Sequence, residues 1–346
     1  MLLQGISTLS SSLVNQENLL SNKAKIEQAQ TEIATGRYAD VNLQLGQSVS
    51  RNLDWRINLS QTQGFLDNNA QADAKANATQ ASLAAVKTLG NNFMNMLTGV
   101  RGAQNGQTLI KQDAAYALGG LRDTVNTSYA GQFLMGGLNT ADPPLKDYKG
   151  STAEVAFDNA FQAQFGFAKT DPQAQNITPA QMTAFLSGPF DTLFQGTNWN
   201  TNWSNATGSN LQTRIDSSQK IDIAANAGEP GFKNMLQGMI AVMDAGTGNL
   251  NQSTFQAVVD YALSKTGGAI QEIGETESRI GEGQQMISQT NEKLSAKKNL
   301  VQLQIQETEG VNLTEISLRI NQLMTQMEAS YTVTGKLARL NLVSYL

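Results

Sequence analysis

EISLRINQLMTQMEASYTVTGKLARLNLVSYL, residues Glu315–Leu346, carries apolar residues at helical spacing from Ile316 through Ile320, Leu323 and Met327 to Val333, Leu337 and Leu340. The spacing predicts one helix over Thr314–Leu346, roughly 50 Å long at 1.5 Å per residue. No Gly or Pro stop signal follows it. A solitary helix is marginal in water, because most helical stability comes from packing an apolar face. This one therefore needs a partner.

The opposite end of the chain supplies a matching seam. Leu2, Ile6, Leu9 and Leu13 alternate four and three residues apart, the a/d pattern of a coiled coil. Ile26 and Ile33 continue it, with Ala29 between them, until Gly36 signals a stop. The simplest partner for the N-terminal seam is the C-terminal seam of the same chain. Two paired helices still leave apolar surface uncovered, which points to completion by neighbouring copies.

Between the ends the pattern is again mostly helical. TGRYADVNLQLGQ (Thr35–Gln47) breaks the period, and its alternating Val41, Leu43 and Leu45 predict an ordered loop with a short extended piece. A long helix is predicted from about Ser48 to Asn105, then a turn at NGQT, then helix from about Leu109 to Leu134. GQFLMGGLNTADPPL (Gly131–Leu145) has adjacent glycines and a Pro-Pro pair, a domain boundary. Beyond it, AEVAFDNAFQAQFGF alternates weakly, and LQTRIDSSQKIDIAANAGEP suggests short strands. TPAQMTAFLSGPF predicts a short helix with Thr178 as N-cap and Pro179 at the first helical position. Helix returns near Phe232 and runs long from about Ser253 to Thr308, interrupted by Gly267, Gly268, Gly274, Gly281 and Gly283. ETEGVNL breaks it before the last helix. The fold class is mainly α: paired terminal coiled-coil helices, a long-helix bundle and a small mixed α/β, β-rich middle insert. Five segments result: 1–45, the N-terminal coiled-coil helix; 46–140, one helical arm; 141–230, the insert; 231–308, the second arm; and 309–346, the C-terminal coiled-coil helix.

Composition narrows the function. The chain has 346 residues, a net charge of −5, and only 15% charged residues, against about 25% in ordinary globular chains. The acidity argues against nucleic acid as a partner, since phosphates need a basic patch. Low charge reduces repulsion between copies. With no Cys and no His, disulfides, Cys/His metal sites and histidine-based acid–base chemistry are excluded. No metal, cofactor or catalytic residue is predicted. No run reaches the ~18 apolar residues of a membrane span, so membrane insertion is not expected. The first twenty residues lack the basic start and compact apolar core of a cleaved signal peptide, so export would need another route.

Other stretches invite a chemical interpretation and have simpler ones. DPPLKDYKG places Asp142, Lys146 and Asp147 in a solvated boundary loop. Glu275, Glu277 and Glu282 have the spacing of surface charge along a helix and no metal-ligand spacing. Gly281 and Gly283 lack the strand and the Lys-Ser/Thr of a phosphate loop. Trp199 and Trp203 could stack on a sugar, as in a surface glycan-binding adhesin, but such residues more often pack a small domain's core.

Taken together, NKAKIEQAQTEIATGRYAD, VRGAQNGQTLIKQDAAYALGGLRDTVN (Val100–Asn126), GQFLMGGLNTADPPL and the C-terminal stretch resemble the flagellin family of bacterial axial proteins. The resemblance covers roughly residues 1–140 and 250–346. Within the family, the LNLVSYL ending, GQFLMGG and GRYADVNLQLG are similar to the hook–filament junction branch, hook-associated protein 3. The filament flagellins are the alternative, and Met135 stands where the junction branch has a second aromatic. The resemblance implies a flagellin-like, elongated subunit whose terminal helices build concentric tubes around a channel. It implies self-association in a ring or helical layer, contact with a neighbouring hook-associated protein and with flagellin, and an export chaperone over the C-terminal helix. It also implies extracellular placement on the flagellum after unfolded type III export. A packing role for Leu2, Ile6, Leu9, Leu13, Ile316, Ile320, Leu323, Met327, Leu337 and Leu340 in the assembly interface follows. A cytosolic coiled-coil scaffold is the rival from another class.

Overall fold

The computed structural model describes residues 2–103, 106–245 and 247–343. Helix α1 spans Leu2–Thr35, the short α2 Val41–Leu45, α3 Val49–Val100 and α4 Gly106–Val125. A two-residue hairpin follows, β1 Ser128–Tyr129 against β2 Gln132–Phe133. The middle contains α5 Thr152–Phe165, α6 Pro179–Phe185, a single turn α7 Gly196–Asn198, and a second two-residue pair, β3 Thr213–Arg214 against β4 Lys220–Ile221. Helices α8 Pro230–Asp244, α9 Gln252–Glu309 and α10 Leu313–Val343 complete the chain. The fold is mainly α, as the periodicity predicts.

The chain forms two compact units. One is Met1–Gly64 with Lys293–Leu346; the other is Phe65–Glu292. In the second unit, α3 and α9 run antiparallel, joined by Lys87 to Glu277 at 2.6 Å and by the Gln80 amide donating to the Glu277 carbonyl at 2.7 Å. Helix α4 packs on α8. Their inner faces supply one core: Leu83, Val86, Phe93 and Leu97 from α3, Ile110, Ala114 and Leu121 from α4, Met235 and Met239 from α8, Phe255, Val259 and Ile273 from α9. An aromatic cluster extends it. Phe157 meets Phe185 edge to face at 5.8 Å, and Phe194 stacks on Trp203 at 4.3 Å. Edge-to-face rings suit the aromatic quadrupole.

Several local expectations are corrected. Val41, Leu43 and Leu45 sit in a helical turn, because the Asp40 carboxylate accepts the Leu43 N–H at 3.0 Å and caps it. The middle is helical and irregular, with only the β3–β4 pair as regular strand among its described residues. AEVAFDNAFQAQFGF forms α5 because Ala153, Phe157 and Phe161 recur every fourth residue and are buried together, with Ser151 capping. Helix α4 stops at Val125, nine residues before the predicted Leu134. There the Asn126 side chain both donates to and accepts from the Leu145 backbone, at 2.9 and 2.8 Å. Ala130 and Gly131, with φ of 50° and 79°, then reverse the chain. The glycines expected to interrupt α9 lie inside it. At Gly283 a Cβ would come within 2.3 Å of the Ile223 side chain, so glycine here lets another segment lie against the helix. Thr178 is the N-cap and Pro179 opens the helix, as the sequence predicts; the structure adds a capping box, with the Gln181 side chain accepting from the Thr178 N–H.

Candidate functional site

In the unit containing both chain ends, α1 packs along α10. The helices are antiparallel, since Glu32 pairs with Arg319 while Arg37 bridges to Gly310. The buried line between them is short: Ala29 and Glu32 from α1, Ile316 and Leu323 from α10. Ala29 is small enough to let the backbones approach. Ile26, Ile320 and Met327 are half-buried along the same stripe. Many other apolar side chains among the described ones stay in solvent. Leu13, Val14, Leu20 and Ile33 are exposed on α1, and Leu313, Leu318, Met324, Tyr331 and Val333 on α10.

Polar chemistry fixes the base of the pair. Gly36 takes φ +68° and ends α1 with its N–H donating to the Glu32 carbonyl at 2.8 Å. The chain then lies across the α9–α10 break. Tyr38 N–H donates to the Glu309 carbonyl at 3.0 Å, and Val311 N–H to the Gly36 carbonyl at 3.2 Å. Two carboxylates are buried beneath this crossing. Glu309, fully buried, takes the Arg56 guanidinium on both oxygens, at 2.8 and 2.7 Å, and Arg37 at 2.6 Å. Glu32 takes Arg319 and the Ala39 N–H. Asn52 braces the site, accepting from Arg56 and donating to the Thr308 hydroxyl at 3.2 Å. A buried carboxylate is costly unless paired and hydrogen-bonded. Here three arginines from separate stretches of sequence converge on two acids, so the charges specify which turn meets which.

The ten seam residues therefore divide. Ile316 and Leu323 are used within the chain, Ile320 and Met327 partly so, and Leu13 is 58% exposed. Leu2, Ile6 and Leu9 lie on α1, and Leu337 and Leu340 on α10; their side chains fall outside the described ones. Seam periodicity missed Glu32, Arg37, Arg56, Glu309 and Arg319. The available signal was an acid one turn beyond Ala29 in an apolar seam, and another immediately before the Gly310 break.

The two paired helices fall in regions that two family models match. Residues 6–140 match the bacterial flagellin N-terminal helical region, and residues 263–346 match the bacterial flagellin C-terminal helical region. The chain belongs to the flagellin family. Both halves of the arginine–glutamate crossing fall inside the matched regions, while residues 141–262 of this flagellin-family chain lie outside them. A solved Vibrio parahaemolyticus chain assigned as a flagellar hook-associated protein is 12% identical with a TM-score of 0.49, covering 76% of this chain and 97% of that one. No curated protein sequence matches. Membership makes the chain a flagellar structural subunit, exported to the cell exterior.

The tryptophans weighed as sugar platforms are both buried, Trp203 against Phe194 and Trp199 beneath the Lys233 ammonium. Glu277 is paired with Lys87, and no group of acidic side chains with metal-binding geometry occurs among the described residues. No described helix is long and apolar enough to cross a membrane.

Proposed function

We propose that this chain is the adaptor of the hook–filament junction, a thin layer of subunits joined through their terminal helices. The observation that carries it is the contrast within the helix pair. Its base is fixed by buried ion pairs, yet exposed leucine, methionine, tyrosine and valine side chains run along both helices. So many exposed apolar side chains along two paired helices call for cover by neighbours. Leu13 and the outer face of α10 meet the next subunit, with Leu2, Ile6, Leu9, Leu337 and Leu340 continuing the contact. The junction role, as against the filament, rests on the LNLVSYL ending and the GQFLMGG and GRYADVNLQLG stretches. The partners are other copies, a neighbouring hook-associated protein and flagellin. Before assembly an export chaperone covers the C-terminal helix. The chain travels unfolded, which the absence of cysteine permits. The role is structural and needs no catalytic group.

Deletion of the gene, with electron microscopy of the cells and assay of flagellin in the medium, tests this. Hooks without filaments and flagellin released to the medium are predicted. Loss of flagellin itself would instead identify the filament subunit, and normal motile cells would refute both.

A further inference from the structure

The unit Phe65–Glu292 contains a cavity of about 700 Å³, within the size range of small-molecule sites. One wall is apolar, formed by Leu118 of α4, Leu145, Trp203, and Leu236 and Met243 of α8. At its floor the Tyr148 hydroxyl donates to the Asp244 carboxylate at 2.6 Å, and Lys169 lies 3.0 Å from the same carboxylate. Tyr148 also stacks on Trp203, with ring centroids 5.6 Å apart and planes within 9°. The wall is thus rigid and aromatic.

The charge around this cavity opposes that of the whole chain. Lys111, Arg122, Lys146, Lys149 and Lys169 line it, against Asp147, Glu154 and Asp244, in a protein of net charge −5. All three carboxylates are occupied. Asp244 holds Tyr148 and Lys169, Asp147 pairs with Arg122, and Glu154 accepts the Gly150 N–H at 2.6 Å. Lys146 is committed to the Asn200 and Thr201 carbonyls. That leaves Lys111 and Lys149, both exposed at the rim, with no ion-pair or hydrogen-bond partner among the described residues. A concave apolar chamber with two uncommitted ammonium groups at its mouth selects one class of ligand. We propose that this cavity binds a small organic anion, one carboxylate, sulfonate or phosphate on an apolar or aromatic body. The body lies against Trp203 and Met243 and the anionic group between Lys111 and Lys149. This site lies within one unit and does not depend on the junction role.

Naphthalene-2-sulfonate is the probe, with neutral naphthalene-2-sulfonamide as its near-isosteric control, titrated into the full chain and read by tryptophan indole NMR. The chain has three tryptophans, so the signal locates the probe. The prediction is saturable movement of the Trp203 signal, with those of Trp55 and Trp199 unmoved. Binding should weaken about tenfold or more with the sulfonamide and in Lys111→Glu/Lys149→Glu. Both lysines are exposed, so the variant should melt with the parent; if it does not, Lys111→Gln/Lys149→Gln takes its place. Absence of saturable binding, equal affinity for the neutral control, or movement spread over all three tryptophans would overturn the proposal.

Discussion

Glu309 shows how much one side chain can determine here. It is fully buried and held by Arg37 and Arg56. Glu309→Ala leaves two guanidinium groups facing each other without their acid. The arginines are 46% and 44% exposed, so water softens the loss to about 1–3 kcal/mol, below the range for a fully buried pair. Limited proteolysis should then release the terminal helices faster while the Phe65–Glu292 unit resists as before. Equal rates for both would show that the ion pairs contribute nothing to the pairing. A second residue-level prediction concerns pH. Burial, then the charge and hydrogen bond of Asp244, push the Tyr148 phenol well above its ordinary value. Burial alone would lower the Lys169 ammonium, but Asp158 and Asp244 outweigh it and raise it. Both groups are raised on folding, so their contribution is complete below about pH 10 and is lost above it. The melting temperature should hold between pH 7 and 9 and fall beyond 10. Tyr261, also raised by burial and by Asp191, shares that fall, so Tyr148→Phe should make it shallower without abolishing it. An unchanged slope would contradict the assignment.

At the scale of elements, the terminal helices have two faces with different tasks. Leu323 is buried against α1, whereas Met324, the next residue, is 51% exposed. Leu323→Asp should therefore open the α1–α10 pair, seen as lost helicity and faster proteolysis of the ends. Met324→Asp should leave the isolated chain's helicity and proteolysis unchanged and act only on assembly. The same outcome for both would show that the stripe is not divided as the packing indicates. At α6, Thr178→Ala removes a capping box whose two hydrogen bonds are present, and should lower stability by about 1 kcal/mol in denaturant unfolding. The seams and the Thr178 cap were legible because they depend on local period and local hydrogen bonds. Helix α5 was not, because its buried face of Ala153, Phe157 and Phe161 is too sparse to stand out from a weak alternation. The Glu309 crossing was not, because its arginines come from distant parts of the chain and no periodicity connects them. The cavity was hidden for the same reason: Tyr148 lies in a stretch that looks like a solvated loop, and Lys169 and Asp244 meet it only in the fold.

For the whole molecule, low charge, absent cysteine and unfinished apolar helices all suit a subunit that is exported as a chain and completed by its neighbours. The family models cover the two ends, where assembly is proposed; the cavity takes its α4 wall from inside the N-terminal match and the rest, Leu145 to Asp244, from the unmatched middle. The most direct test is complementation of the deletion strain with Leu13→Asp/Met324→Asp, scoring filaments by electron microscopy and both the variant and flagellin in the medium. The account predicts that the variant is exported, that hooks remain bare, and that flagellin is lost to the medium. Normal filaments on those cells would contradict the claim that the exposed faces of the terminal helices join one subunit to the next.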